Sequence, residues 1–189
     1  MATLVSESHH ALHSIAEEVE KAHITSSRIQ KIIKDMRAVL RSYKGGDFTG
    51  VAIAAPQIGI SLRIFLIEDV SDSTHDTPTV PTLVAINPRL IKLSKQKSLM
   101  KEGCLSVDNR YGTVRRSLRA TIRAYNADGT AYERGASGLL AQIFQHELDH
   151  LDGILFLDRA EHVHTKETDE DTPPSKKKKS KRPQNPSKK

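Results

Sequence analysis

The chain has 189 residues, with 29 Lys/Arg against 23 Asp/Glu and a formal net charge of +6. That length can bury one sizeable core, and with no Trp and only 4% aromatics the core must be built mainly from Ile, Leu, Val and Ala. No apolar run approaches the roughly twenty residues of a membrane span, MATLVSESHHALH lacks an export pattern, and a single cysteine excludes an internal disulfide.

In chain order, His9, His10 and His13 stand outside any ligand motif and are expected in solvent. From Ser26 to Tyr43, Ile29, Ile32, Ile33, Met36, Val39, Leu40 and Tyr43 share one face, which predicts an amphipathic helix ended by Gly45 and Gly46. GVAIAAPQIG at 50–59 packs small residues around Gln57 and reads as a tight turn feeding a strand over 62–68. A polar loop at 70–81 leads to a second predicted strand at 82–87. A third, at 119–126, closes through NADGT into a short return strand.

The last predicted element is a helix carrying QHELDH at 145–150. Leu139, Leu140, Ile143, Phe144, Leu148 and Leu151 recur at three- and four-residue intervals, Ser137 offers an N-cap, and Gly153 is placed to end it. These elements predict an α+β domain over 1–160, with antiparallel strands packed around a C-terminal HExxH helix and an N-terminal amphipathic helix. Residues 161–189 hold nine Lys/Arg and five Asp/Glu, first acidic and then basic, with four prolines and no apolar residue after Val163. That composition predicts a disordered tail, which could contact RNA through phosphates.

On a helix, His146 and His150 face the same way and could bind one metal ion, with Glu147 a candidate general base. Two surface histidines beside a salt-bridging glutamate would look the same. The third donor distinguishes the possible metal sites. Phe156 stands where a metzincin-like pattern needs a histidine, and Glu170, at the spacing of a thermolysin-like ligand, falls in a charged, proline-interrupted stretch. Cys104, in EGCLSV at 102–107, is the chain's only thiol. It reads either as a small buried hydrophobe or as the third member of a Cys-His-His set that leaves a coordination position open. A thiolate ligand favours a reducing compartment, so the cytoplasm is expected.

Taken together, GVAIAAPQ, EGCLS and QHELDH, in this order, resemble the motifs of the peptide deformylase family, and the resemblance runs from about residue 4 to 160. It implies removal of the formyl group from N-formylmethionyl nascent polypeptides, with release of formate. It implies one divalent ion on Cys104, His146 and His150, Fe²⁺ first, with Ni²⁺, Co²⁺ or Zn²⁺ as alternatives. Gln57 and the backbone N–H of Leu105 would stabilise the negative oxygen that forms in the reaction. By motif position, Val51, Met100, Leu139, Gln142 and Ile143 would line the methionine pocket, and Gly50, Val51, Ala52 and Gly103 would meet the substrate backbone.

Several positions depart from the family pattern. Ala52 replaces a glycine, Gln142 brings an amide to a wall that is usually apolar, Asp108 replaces a proline, and Tyr111 replaces an arginine. Glu102 is expected to hold the Cys104 loop. Asp149 is expected either to orient a histidine or to pair with Arg115 or Arg116. Two rival functions are an HExxH metallopeptidase and a non-catalytic ribosome- or RNA-binding protein on the same scaffold. The second predicts loss of Glu147, Cys104 or a histidine, and all are present.

Overall fold

The computed structural model describes residues 2–43, 51–68 and 80–165. Helix α1 spans Ser27–Ser42, with the Ser26 hydroxyl accepting from the Ile29 N–H as its cap and Tyr43 closing its C-terminus. Eight strands follow: β1 (Ala52–Ala54), β2 (Ile64–Ile67), β3 (Leu83–Leu93), β4 (Lys97–Cys104), β5 (Val107–Ser117), β6 (Arg119–Tyr125), β7 (Ala131–Ser137) and β8 (Ala160–Thr165). Helix α2 (Gly138–Leu151) and the short α3 (Phe156–Arg159) lie between β7 and β8. None of the described helices is long and apolar enough to cross a membrane.

The strands form two antiparallel sheets, one of five in the order β1-β2-β3-β6-β7 and one of three in the order β4-β5-β8. Strand β2, IFLI, is buried at every position because the larger sheet is covered on both faces. Its Ile64 and Leu66 join Ile53, Ile86 and the apolar stripe of α1 in one cluster. Phe65 and Ile67 point the other way, into a cluster with Ala141, Phe144, Leu148 and Leu151 of α2. The larger sheet is therefore clamped between α1 and α2. A third cluster of Leu12, Val107, Val114, Leu155 and Phe156 closes the smaller sheet against the N-terminal segment.

The sequence-predicted α1, α2, β2, β6 and β7 all form, with ends shifted by one or two residues. Strand β3 runs beyond the expected 82–87, through irregular pairing with β6 on either side of Arg89. The small sheet is additional, and β8 carries regular structure to Thr165, past the domain boundary expected at 160. It pairs with β5 from Val114 to Arg110. The pairing is close, since a Cβ on Gly112 would lie 2.9 Å from Ala160 Cβ and 3.1 Å from Phe156 Cε2. The tail from 166 onward and the polar loop at 70–79 lie outside the described residues.

Candidate active site

Three elements converge on one cavity, and each is held in place by buried polar contacts. Helix α2 is locked by Gln145, whose amide accepts from the Ser117 N–H (3.0 Å) and donates to the Ser117 (3.0 Å) and Ala141 (2.8 Å) carbonyls. Ser137 does not cap α2 with its side chain, contrary to the sequence expectation. Gly153 does follow its last turn, at φ 72°, where a Cβ would meet Ser14 N at 2.8 Å. The helix end and the N-terminal segment thus fit only around a glycine.

The β4–β5 hairpin supplies the thiol. Its ladder shifts register between Glu102 and Cys104, a bulge that turns the end of β4 toward α2. Cys104 Sγ lies 3.3 Å from His150 Nε2. One donor atom each from Cys104, His146 and His150 can be chosen so that all lie within 4.8 Å of one another, the only such group among the described residues.

The third element is the turn after β1. Gln57 is 1% exposed, and its carbonyl accepts from the Ala54 N–H at 2.8 Å. That contact leaves the amide N–H₂ aimed at Cys104, with Nε2 3.5 Å from Sγ.

Charge is organised around the histidines. Glu102 takes His146 Nδ1 at 2.9 Å and Arg116 through two bonds of 2.8 and 2.9 Å, and Arg116 reaches on to Asp149 at 2.6 Å. Arg159 supports Asp149 from outside at 2.8 Å. Glu102 therefore orients His146 and also ties the Cys104 end of β4 to β5 and α2. Of the two roles weighed for Asp149, it takes the ion pair, and with Arg116. Phe156 stacks on the His146 ring with centroids 6.4 Å apart.

These contacts explain the protonation preferences. Burial works against charge on His146, but its hydrogen bonds to Cys104 and Glu102 and the charge of Glu147 raise its pKa well above the ordinary value. For His150, burial and the neighbouring His146 push it well below, so it stays a neutral imidazole able to donate a lone pair. Glu147 is 3% exposed, Oε2 has no hydrogen-bond partner, and burial lifts its pKa to about 7. The donor set fits a divalent cation: one sulfur and two imidazoles, with the Glu102 and Glu147 carboxyls beside His146.

A cavity of about 290 Å³ opens onto this cluster. Of the residues expected from sequence, Val51, Ala52, Gln57, Gly103, Cys104, Leu105, Leu139, Gln142, Ile143, His146 and Glu147 line it. His150 lies behind them, 1% exposed. Met100 is not in the lining; it pairs with Val114 further up β4. Gly50 lies outside the described residues. Gln142 spends its amide on the Lys101 carbonyl at 2.7 Å, which tethers α2 to β4. Glu102, Tyr43, Lys101, Val107, Asp108, Asn109 and Tyr111 complete the lining; of these the sequence had marked Asp108 and Tyr111 only as departures from the family pattern.

The model of the polypeptide deformylase family matches residues 1–166. This chain belongs to that family. It is 42% identical over 158 residues to peptide deformylase 1A, chloroplastic/mitochondrial, of Arabidopsis thaliana, a match over 78% of the chain and 57% of that relative. The chain thus spans little more than half of that protein. With the peptide deformylase of Bartonella tribocorum it shares 39% identity, over 84% of this chain and 83% of the relative. The Met-Ala-Ser-bound crystal structure of a class I type b peptide deformylase from Acinetobacter baumannii superposes with a TM-score of 0.73 at 31% identity. That likeness covers 82% of this chain and 96% of that one.

Proposed function

We propose that this chain removes the formyl group from N-formylmethionyl nascent polypeptides, releasing formate. The observation that carries the proposal is the meeting of Cys104, His146 and His150 within 4.8 Å beside a buried, unpartnered Glu147 carboxylate oxygen. The three would hold one divalent ion, for which we favour Fe²⁺. When bound, the ion would act as a Lewis acid, polarising the formyl oxygen and making water more acidic.

The residues of the chain then divide the work. Glu147, with a pKa raised toward neutrality, takes the proton of the attacking water and returns it to the methionine nitrogen as the C–N bond breaks. The formyl carbon gains the water oxygen and leaves as formate. Negative charge on the formyl oxygen is met by the Gln57 side-chain N–H, already fixed by the Ala54 contact, and by the Leu105 backbone N–H. One such donor contributes about 10²–10³ in rate.

Val51, Leu139 and Ile143 give the cavity an apolar wall suited to an unbranched, flexible methionine side chain. The peptide backbone would run along the free edge of β1 at Val51–Ala52 and past Gly103, since both strands are edge strands facing the cavity. The Met-Ala-Ser held by the Acinetobacter relative is the kind of product this requires. We place the enzyme in the cytoplasm with nascent chains, and assign to the basic run from Lys176 a contact with ribosomal RNA.

The geometry weighs against a peptidase, because Phe156 packs on His146 where another pattern would need a third histidine. Mass analysis of formyl-Met-Ala-Ser incubated with the iron-loaded protein distinguishes the two. Loss of the formyl group alone is expected. Cleavage between residues would overturn the proposal.

A further inference from the structure

The rim of the cavity has a chemistry that its apolar wall does not require. Asp108 and Asn109 follow the hairpin at the start of β5 and both line the cavity, as do Val107 and Tyr111. In a regular strand, neighbours point to opposite faces. Asn109 breaks the alternation with a left-handed backbone, φ 54°, a conformation that asparagine tolerates better than most residues. Adjacent residues Asp108 and Asn109 can thereby both border the cavity.

Of the four carboxylates and lysines in the lining, Glu102 is taken by Arg116 and His146, and Glu147 is buried at the cavity's inner end. Asp108 is exposed and makes no hydrogen bond or ion pair with any described residue. Its neighbour Arg110 cannot neutralise it, because that guanidinium is held by Glu7. Two half-buried phenols, Tyr43 and Tyr111, line the same cavity. Burial raises the Tyr43 pKa, and Asp108 adds to the effect, so the two are electrostatic neighbours. An exposed carboxylate at the cavity's rim attracts a cation through its charge. Lys101 is the opposing charge, but it lies on β4, exposed, with only its carbonyl engaged by Gln142.

We propose that Asp108 is a specificity-determining residue that favours a lysine or arginine at the positions following the formylmethionine. The inference rests on the deformylase function proposed above. The proposal sets the residues after the methionine against this rim, where an exposed pair gives a bias of about two- to fivefold, weakening as salt rises.

The test compares kcat/KM for formyl-Met-Lys-Ser, formyl-Met-Ala-Ser and formyl-Met-Glu-Ser, and for the matching peptides with the charge at the third position. The wild type is expected to prefer lysine over glutamate at one or both positions. The preference should vanish in Asp108→Asn and invert in Asp108→Lys. A ratio near one in the wild type, or one that survives in Asp108→Asn, would overturn it. So would a preference for glutamate that disappears in Lys101→Met. Equal formate release from all the peptides contradicts only the role of Asp108, whereas no release from formyl-Met-Ala-Ser contradicts the deformylase function itself.

Discussion

Glu102 Oε2 lies 2.9 Å from Nδ1 of His146, and the same carboxylate receives two bonds from the buried Arg116. One side chain thus fixes a candidate metal ligand and joins it to the interior of the protein. With Nδ1 occupied, Nε2 is the nitrogen left for a metal ion.

That arrangement has a pH signature. Burial raises the Glu102 pKa, but the hydrogen bonds and charges of Arg116 and His146 outweigh it and bring the value to about 2. A carboxyl depressed in the fold stabilises it above the unfolded value near 4.5, and that contribution disappears as pH falls toward 2. Chemical denaturation at a series of pH values should show stability falling across that window. In Glu102→Gln the fall should be shallower and the protein less stable at pH 7. An unchanged profile in the variant would assign the acid response to other groups.

Removing the thiol tests the metal assignment. Cys104→Ser should retain much less iron after anaerobic loading and gel filtration, and should lose nearly all turnover, because a neutral hydroxyl is a far poorer ligand than a thiolate. Full metal content with full activity would remove Cys104 from the site.

How legible this site was in the sequence differs from residue to residue. His146 and His150 were readable from helical spacing, Cys104 from being the sole thiol, and α1 from its apolar stripe. Strands β4 and β5 escaped because Lys97, Lys101, Arg115 and Arg116 interrupt any apolar alternation. Strand β8 is held by backbone pairing at a sheet edge, with five of its six residues exposed, so its side chains carry almost no signal. Arg116 was only one of two candidate partners for Asp149. That Tyr43 and Asp108 share a cavity could not be read, since 65 positions separate them and only the fold brings the end of α1 to the hairpin.

The close packing of β8 predicts a stability effect at a distance from the chemistry. In Gly112→Val the new side chain would press on Ala160 and Phe156, and Phe156 in turn stacks on His146. The expected cost is about 1–3 kcal/mol, read as a lower Tm, together with weaker metal retention. A variant as stable as the wild type would show that β8 is not tightly docked.

Two truncations separate the tail from the domain. Ending the chain after Thr165 should leave Tm and short-peptide deformylation intact, while ending it after Arg159 removes β8 and should lower both. The shorter cut should also weaken association with ribosomes, and the full-length association should fade steeply as salt rises. Binding that survives removal of 166–189 would assign the contact to the folded domain.

The proposed mechanism has Glu147 performing the proton transfers of deformylation beside a metal held by Cys104, His146 and His150. Its most direct test is formate release from formyl-Met-Ala by wild type and Glu147→Gln, both loaded with iron anaerobically, with metal content measured on the same samples. Equal metal content and a loss of about 10²–10⁴ in turnover are expected for the variant. Turnover that survives the substitution, or metal lost along with it, would contradict the mechanism.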